Sequence, residues 1–459
     1  MGGGPVTEQQ LALAINGREG RLVQRLRAFH DAPEDHGNGH QLEESVAVVG
    51  LGYVGLPTAF ALCSQRSRTV GVDASPQRLA AIAEARVDLP EPDREGLLAA
   101  LDEQSLALTA DPAALAAADA VILCVPTPVD GNREPDLAAL RAACSDVLAH
   151  VHSGQTIILT STTFPGTTRQ LLIDPLVERG WTVGEDVFVA FSPERIDPGN
   201  LDHVQRETPR IVGGETAACS SRAARVVGRM TDQVYLVSSP EAAELTKLYE
   251  NVFRAVNLAL ANEVADVCGG LGLDPIEVTV AAGTKPYGFL GSFPGPGVGG
   301  HCIPCDPHYL LWQLHQRDRR APLIEQAMRD IEDRPLQVAR RALAVLRDGG
   351  VAPSRARVLL VGVSYKAGVS DLRESPALAI LSTLAESGAE VAYHDPLLPA
   401  IEIPSGERLL SEAEPDGADW DLVLLHTVHP GHEYDWVRRC PRVLDATYQF
   451  DSAEHRELV

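Results

Sequence analysis

One short segment, residues 291–310, combines a thiol, an imidazole and a carboxylate with a backbone rich in glycine and proline, GSFPGPGVGGHCIPCDPHYL. Cys302 follows His301 directly and precedes Asp306 by four residues. Glycine lets a ligand approach the backbone closely and proline stiffens its path, so we expect a loop here and no helix or central strand. A thiol on such a loop, once ionised, can attack a carbonyl carbon. The segment therefore indicates covalent chemistry at Cys302.

Two other interpretations of the segment stay open. It is compatible with a structural turn that carries a core cysteine. It is also compatible with a metal site formed by His301, Cys302, Cys305 and His308. Two thiols without a second Cys-x-x-Cys pair are a poor zinc pattern, so we predict no metal.

A second set of polar residues lies on a predicted long helix. Pro240 suits its first turn and Gly269–Gly270 its end. Lys247, Asn251 and Arg254 have spacings that place them on one helical face. An ammonium above an amide can stabilise a developing oxyanion, although such a face is also typical of solvated polar residues. A helix of this length between two α/β halves could also form a dimer interface.

The segment after Ser45 predicts a dinucleotide site. A short buried strand runs into Gly50, Gly52 and Gly55, and a helix and a second strand ending in Asp73 follow. The glycines permit the tight turn, the approach of a pyrophosphate and close helix–strand packing, while the helix N-terminus meets the phosphates. A carboxylate at Asp73 would bind ribose hydroxyls and repel a 2′-phosphate, which favours NAD over NADP.

Three further strands end in loops with polar side chains. The strands ADAVILCV and GQTIILT lead to Thr127 and Thr162, which we interpret either as cofactor contacts or as capping residues. The strand DVFVAF leads to Glu194 and Arg195, and Glu194 is a candidate base. Because the carboxyl ends of parallel strands share one sheet edge, we expect these residues at the dinucleotide site.

A second α/β unit begins at the strand ARVLLVGVSY and has no Gly-x-Gly-x-x-Gly turn. Its first loop carries Lys366, Asp371 and Arg373, which suit a phosphorylated ligand. The sequence thus predicts two Rossmann-like, doubly wound parallel-sheet domains joined by a long central helix. We place an N-terminal extension at 1–44, the NAD domain at 45–238, a central helical dimerisation and catalytic region at 239–348, and a second Rossmann-like domain for the phosphorylated ligand at 349–459.

Composition narrows the class of protein. The chain of 459 residues has a formal net charge of −24, which argues against nucleic acid or an anionic membrane as partner. It contains no run of eighteen apolar residues and no signal-peptide core, so we expect a cytoplasmic protein. Its eight cysteines are mostly scattered through apolar segments, as reduced thiols are.

Seven ordered blocks together resemble the nucleotide-sugar 6-dehydrogenase family, in particular its UDP-N-acetylglucosamine branch. The blocks, spread over about residues 45–450, are GLGYVGLP, CVPTP, STTFPGTT, SPERIDPGN, ELTKLYENVFRAVN, PGPGVGGHCIPCDP and SYKAGVSDLRESP. The resemblance implies that the substrate is a UDP-sugar, that the domain at 349–459 binds it, and that NAD is the cofactor. It also implies dimerisation through the central helix and double oxidation of the sugar C6 alcohol. An aldehyde would add to Cys302 as a thiohemiacetal, become a thioester and be hydrolysed to the uronate. NAD would exchange between the two oxidations.

The resemblance also implies residue roles. Cys302 would be the nucleophile, Lys247 and Asn251 would stabilise oxyanions, and Asp306 and Glu194 would handle water and protons. The implied cofactor contacts are Gly50, Gly52, Tyr53, Val54, Gly55, Asp73, Arg78, Thr127 and Thr162. The implied substrate contacts are Glu194, Arg195, Lys247, Asn251, Arg254, Lys285, Phe293, Gly297, Gly299, Tyr365, Lys366 and Arg373.

Three features depart from the family pattern. Pro198 stands where the glucose-type branch has a second glutamate, and this favours a UDP-N-acetylhexosamine, first UDP-N-acetylglucosamine, with UDP-N-acetylmannosamine or UDP-glucose as alternatives. Thr447 replaces a frequent arginine, which puts one substrate contact in doubt. The extension at 1–44 has no counterpart. A non-catalytic NAD-binding scaffold is the remote alternative.

Overall fold

The computed structural model describes residues 44–63, 68–87, 91–195, 205–417, 419–450 and 456–459. The predicted helix pair of the N-terminal extension and Pro198 lie outside these residues. The chain forms two compact units, and the boundary after Tyr249 falls within a helix. Our four-part division of the chain stays a prediction.

The first unit is an α/β unit built on an eight-stranded sheet. Its elements are β1 (Val46–Val49), α1 (Gly55–Cys63), β2 (Thr69–Val72), α2 (Pro76–Ala83), α3 (Glu91–Asp102), β3 (Leu106–Thr109), β4 (Ala120–Leu123), α4 (Ala138–His150), β5 (Thr156–Leu159), α5 (Asp174–Glu178), β6 (Phe188–Phe191), β7 (Arg210–Gly214), α6 (Ala217–Val227) and β8 (Val234–Val237). The strand order is β3-β2-β1-β4-β5-β6-β7-β8. All neighbouring strands are parallel except β6 and β7, which are antiparallel.

The centre of this sheet is buried on both faces. Every residue of β1, β4, β5 and β6 is buried, and β1 reads VAVV. Such uninterrupted apolar strands are typical of parallel sheets covered by helices. The chain passes from β3 at one edge to β4 beside β1, so the strand order reverses between β1 and β4. The carboxyl ends of these two strands are where α/β sheets bind ligands.

The helix α7 (Pro240–Leu271) contains the unit boundary. In the second unit it is followed by α8 (Pro275–Gly283), α9 (Cys302–His315), α10 (Pro322–Asp348), β9 (Arg357–Val361), α11 (Pro376–Glu386), β10 (Glu390–His394), β11 (Ala400–Glu402), β12 (Arg408–Leu410), β13 (Leu422–Leu425), β14 (Val443–Asp445) and β15 (Arg456–Leu458). A parallel five-stranded sheet has the order β10-β9-β13-β14-β15, and β11 and β12 form a separate antiparallel pair.

The predicted α/β class with parallel-sheet, Rossmann-like domains and a long central helix is confirmed. The prediction that residues 291–310 form a loop throughout was wrong, because α9 begins at Cys302. Pro304 lies in the first helical turn, where a backbone N–H has no intrahelical partner, so proline is tolerated there. Pro307 lies deeper in the helix and removes one backbone hydrogen bond. None of the described helices is long and apolar enough to span a membrane.

Candidate active site

The turn between β1 and α1 has the geometry that its glycines predict. Gly50 has a φ of +85°, which favours glycine. A Cβ on Gly55 would lie 1.7 Å from the carbonyl oxygen of Gly50, so α1 can pack this closely only without a side chain. A Cβ on Gly52 would meet no atom within 4 Å, so the space beside Gly52 is open for a ligand. Tyr53 and Val54 follow, and Tyr53 is 44% exposed.

Asp73 follows β2 and is tied to the β1–α1 turn. Its Oδ2 accepts a hydrogen bond from the Leu51 N–H at 2.8 Å, and its Oδ1 accepts one from the Ser75 N–H at 2.8 Å. Arg78 donates from Nε to the Leu51 carbonyl at 2.8 Å. The carboxylate is only half-buried, so its remaining lone pairs can accept hydrogen bonds from ribose hydroxyls.

Thr127 and Thr162 lie on the loops that follow β4 and β5. The Thr127 hydroxyl donates to the Thr162 carbonyl at 2.8 Å, so the structure brings the two predicted residues together. The contact holds two loops together at one sheet edge.

The residues of this sheet edge fit NAD. The open space at Gly52, the N-terminus of α1 and the half-buried carboxylate of Asp73 are the features that a pyrophosphate and a ribose need. The cofactor would be bound by Gly50, Gly52, Gly55 and Asp73. The adjoining loops would be held together by the contact between Thr127 and Thr162.

Glu194 is anchored by an arginine that sequence reasoning missed. Arg210, at the start of β7, is 2% exposed and forms an ion pair with Glu194. The backbone N–H of Arg195 donates to Glu194 Oε1 at 2.8 Å, and the Arg195 side chain donates to the Pro209 carbonyl at 2.8 Å. An arginine opening a buried strand was the available signal, since an arginine is almost never buried without a partner.

Glu244 is a second residue that sequence reasoning missed. It lies on α7, three residues before Lys247, and is fully buried. It accepts hydrogen bonds from the N–H groups of Gly166, at 2.6 Å, and Thr168, at 2.8 Å, and from the Thr168 hydroxyl at 2.6 Å. Burial raises the pKa of Glu244 to about 7. Glu244 therefore joins the start of α7 to the loop that carries Thr162.

In the second unit, Cys302 is the first residue of α9 and is exposed. Free backbone N–H groups and the helix dipole at an N-terminus stabilise a negative charge by about 0.3–1 kcal/mol. This position favours a thiolate at Cys302. Cys305, three residues further along, is buried.

Asp306 and Asn251 form a buried polar pair. The Asn251 amide donates to Asp306 Oδ2, and their exposed fractions are 4% and 1%. Asp306 lies one turn beyond Cys302 on α9, so the thiol and this pair are close along one helix. Lys247 precedes Asn251 by one turn on α7 and is half-buried, whereas Arg254 is exposed.

The glycines before Cys302 pack against the loop after β9. A Cβ on Gly299 would lie 2.6 Å from Tyr365 Cβ, and one on Gly297 would lie 2.8 Å from Pro376 Cγ. The Gly300 N–H donates to the Arg373 carbonyl at 2.9 Å. The structure therefore places the two predicted substrate segments side by side within this unit.

Charged groups surround these segments. Burial and the nearby Arg373 guanidinium lower the pKa of His301. Arg373 itself forms an ion pair with Asp371 at 2.6 Å. Lys366 is half-buried, and the Lys285 ammonium lies 5.0 Å from the centre of the Tyr287 ring.

Phe293 is 53% exposed. Thr447 donates from its N–H, at 2.9 Å, and its hydroxyl, at 2.6 Å, to Asp445. The residue that replaces the frequent arginine thus belongs to a local turn.

Arg334 on α10 is a third residue that sequence reasoning missed, and it holds the glycine-rich segment in place. It is 1% exposed and donates to the Gly295 carbonyl at 3.0 Å, to Asp266 at 2.7 Å and to the Tyr448 hydroxyl at 2.9 Å. It fixes the glycine-rich segment to two other parts of the second unit. Among the described residues, no three His, Cys, Asp or Glu side chains are grouped as metal ligands.

Sequence comparisons match three parts of one protein family. Models of the UDP-glucose/GDP-mannose dehydrogenase family match residues 44–243 with its NAD-binding domain, 241–332 with its central domain and 359–454 with its UDP-binding domain.

Two relatives cover most of the chain. An NDP-N-acetyl-D-galactosaminuronic acid dehydrogenase from Ralstonia nicotianae is 34% identical over 84% of this chain and 90% of its own. A UDP-N-acetyl-D-mannosamine dehydrogenase from Yersinia pestis is 34% identical over 75% and 83%. The structure of a UDP-D-ManNAc dehydrogenase from Pyrococcus horikoshii is 30% identical, with a TM-score of 0.82 over 90% of this chain and 98% of its own. With the geometry described above, these matches show that the chain belongs to the UDP-glucose/GDP-mannose dehydrogenase family and is an NAD-dependent nucleotide-sugar dehydrogenase.

Proposed function

We propose that the enzyme oxidises the C6 alcohol of a UDP-N-acetylhexosamine to the uronate, with Cys302 as nucleophile. The observation that carries this proposal is the exposed thiol at the N-terminus of α9, one turn before the buried Asn251–Asp306 pair. NAD, when bound, supplies the hydride acceptor for both oxidations.

The chain's own residues would then act in order. Loss of the hydroxyl proton and of one C6 hydrogen as the first hydride leaves an aldehyde. The Cys302 thiolate attacks its carbonyl carbon, and a C–S bond forms to give a thiohemiacetal once the oxyanion gains a proton. Loss of the C6 hydrogen as a second hydride converts this adduct to a thioester. Water attacks the thioester carbonyl, the C–S bond breaks and the thiolate returns.

Lys247 and Asn251 would stabilise the oxyanions of this sequence, and Asp306 and Glu194 would position water and accept protons. The proposed substrate contacts are Arg195, Arg254, Lys285, Phe293, Gly297, Gly299, Tyr365, Lys366 and Arg373. The arginine and lysine side chains suit the diphosphate.

Substitution of Cys302 tests the covalent step. We expect Cys302→Ala to lower uronate formation by at least about 10³-fold, because the nucleophile is lost. The wild-type enzyme should form two NADH per sugar. The matched control is Cys305→Ala, which removes a buried thiol on the same helix and should keep nearly full turnover. Full turnover by the Cys302 variant would contradict covalent catalysis.

The sugar is a separate question. The block SPERIDPGN favours a UDP-N-acetylhexosamine, and UDP-N-acetylglucosamine is our first candidate. The two relatives named for N-acetylated sugars agree with an acetamido substrate but differ in its hexose. UDP-N-acetylmannosamine is therefore the second candidate. A pocket that hydrogen-bonds the acetamido group rejects a plain hydroxyl by up to about 10⁴-fold. NADH production with these two sugars and UDP-glucose at equal concentration decides the matter, and a preference for UDP-glucose would overturn the N-acetylhexosamine proposal.

A homodimer is part of this proposal. Large apolar side chains of α7 remain exposed on the single chain at Phe253, Leu260, Val267 and Leu271, by 41%, 54%, 57% and 68%. An apolar stripe along one long helix is suited to pairing with a second copy. Light scattering should give the mass of a dimer or higher oligomer for the wild type and of a monomer for Leu260→Glu/Val267→Glu; a monomeric wild type would contradict the interface. A cytoplasmic location stays a prediction.

A further inference from the structure

Behind the loop that follows β9, the second unit buries an aspartate and a histidine that have no role in the proposed mechanism. Asp395 follows β10 and is 2% exposed, and His429 follows β13 and is 1% exposed. The loop in front of them carries Tyr365, Lys366 and Arg373, three of the proposed substrate contacts.

The hydrogen bonds around Asp395 determine the tautomer of His429. Asp395 Oδ2 accepts from the N–H groups of Val363, at 2.8 Å, and Ser364, at 3.2 Å, and lies 3.2 Å from His429 Nε2. Burial alone would raise the pKa of Asp395, but hydrogen bonds from His429 and the Val363 and Leu397 N–H groups outweigh it and lower the pKa to about 2. A carboxylate only accepts, so His429 donates from Nε2.

The other ring nitrogen of His429 is therefore an acceptor. The Gly368 N–H donates to His429 Nδ1 at 3.0 Å, although Gly368 itself is exposed. The Thr427 hydroxyl donates to the Ser364 carbonyl at 2.7 Å. In sequence, Lys366 lies midway between Ser364 and Gly368. The Ser364 N–H donates to Asp395 and the Gly368 N–H donates to His429, so the buried Asp395–His429 pair binds the backbone on both sides of Lys366.

We propose that His429 is a positioning residue that, together with Asp395, fixes the backbone on both sides of Lys366 and thereby sets the affinity for the diphosphate of the substrate. This inference rests on the proposed function. His429 is no catalytic base, because it is buried, its Nδ1 is occupied by the Gly368 N–H and its Nε2 donates to Asp395. Its effect on substrate reaches the ligand only through the loop.

Two substitutions separate the two sides of the imidazole. His429→Gln can replace the Nε2 donor to Asp395, but it leaves the Gly368 N–H without its acceptor. His429→Asn places an oxygen near the Nδ1 position and so keeps that acceptor. His432→Gln is the matched control. His432 is exposed and three residues away, and its ring packs edge-on against the His429 ring with 6.4 Å between the ring centres, so this variant tests the ring contact while the hydrogen bonds to Asp395 and Gly368 are kept.

The readouts are the KM values for the sugar nucleotide and for NAD, and the binding of UDP alone measured by calorimetry. Loss of one hydrogen bond should weaken UDP binding and raise the sugar-nucleotide KM by about 3- to 10-fold in His429→Gln. The KM for NAD and kcat should change less than about twofold. His429→Asn should recover most of the UDP affinity, and His432→Gln should match the wild type.

Each other outcome overturns a specific statement. If His429→Gln binds UDP like His432→Gln, or if His429→Asn gives no recovery, the positioning role is wrong. If the KM values for both ligands rise together, His429 is merely structural. A wild-type enzyme that binds no UDP would refute the proposed function instead.

A hydrogen-exchange measurement on the wild type covers the case in which the variants fail to fold. The Gly368 amide should exchange with deuterium slowly despite its exposed position, and UDP should slow the exchange further. Rapid exchange that UDP leaves unchanged would contradict the proposal.

Discussion

The two units use the same backbone device at the end of the first strand of each sheet. In the first unit, Gly50 has a φ of +85° and the next N–H, that of Leu51, donates to Asp73 at 2.8 Å. In the second, Gly362 has a φ of +76° and the Val363 N–H donates to Asp395 at 2.8 Å. Each glycine also packs against a backbone carbonyl that follows the neighbouring strand, that of Cys124 after β4 and that of Thr427 after β13.

What fills the space beside each aspartate differs. Asp73 is half-buried beside the open position of Gly52, and the helix α1 begins at Gly55. Asp395 is buried, and the His429 ring occupies the position beside its carboxylate. The same fold thus leaves a carboxylate accessible to a ligand in one unit and uses the equivalent carboxylate as an internal anchor in the other. This explains physically why a Rossmann-like unit without Gly-x-Gly-x-x-Gly need not bind a dinucleotide.

The largest difference should appear when each carboxylate is converted to an amide. Asp395→Asn places an NH₂ group among buried donors, so we expect a loss of about 3 kcal/mol in the free energy of unfolding. Asp73→Asn affects a half-buried group and should cost about 1 kcal/mol or less. Urea titration followed by tryptophan fluorescence measures both. Equal losses would contradict the assignment of Asp395 as the anchor and Asp73 as the ligand site.

The parts of this comparison that are local in sequence were predictable. Gly50, Gly52, Gly55 and Asp73 belong to one strand–turn–helix–strand unit, and their spacing alone predicts their arrangement. The same alternation of strands and helices predicts that most strands pair in parallel, but it does not predict their order in the sheet.

The remaining contacts join residues that are distant in sequence. Glu244 binds Thr168, which lies 76 residues earlier, and His429 binds Asp395, 34 residues earlier. Arg210 reaches Glu194 from the start of a strand that pairs antiparallel to β6. Periodicity carries no information on such pairs. The start of α9 at Cys302 was missed because its prolines argue against a helix unless they are recognised as compatible with its first turns.

The next effect concerns cofactor choice in the first unit. A 2′-phosphate beside the Asp73 carboxylate is disfavoured by about 1–3 kcal/mol, so NAD should exceed NADP in kcat/KM by at least about tenfold. Asp73→Ser should narrow this ratio. The control Asp174→Ser removes an exposed carboxylate from the same unit and should leave the ratio unchanged. Equal kcat/KM values in the wild type would remove the role given to Asp73.

The buried carboxylates of the two units, Asp395 and Glu244, should also respond to pH in opposite ways. Asp395 has its pKa lowered to about 2, so its stabilisation is present above its unfolded value and is lost as the pH falls towards 2. Burial raises the pKa of Glu244 to about 7, so the native state keeps a proton that the unfolded chain loses first. As the pH rises from about 4.5 to 7, the contribution of Glu244 to the free energy of unfolding should therefore decrease, by about 2–3 kcal/mol.

Replacing Glu244 with glutamine, which does not titrate, isolates the dependence of the free energy of unfolding on pH that Glu244 causes. The difference in unfolding free energy between the wild type and Glu244→Gln should fall between pH 5 and 7 and be constant above pH 8. Glu241→Gln is the matched comparison on the same helix. Burial opposes ionisation of Glu241 too, but hydrogen bonds from its own N–H, Arg169 and Ser239 lower its pKa, so any slope it removes has the opposite sign. A pH-independent difference for Glu244→Gln would show that Glu244 is already ionised at pH 5, as Asp395 is, and that its three hydrogen bonds outweigh its burial.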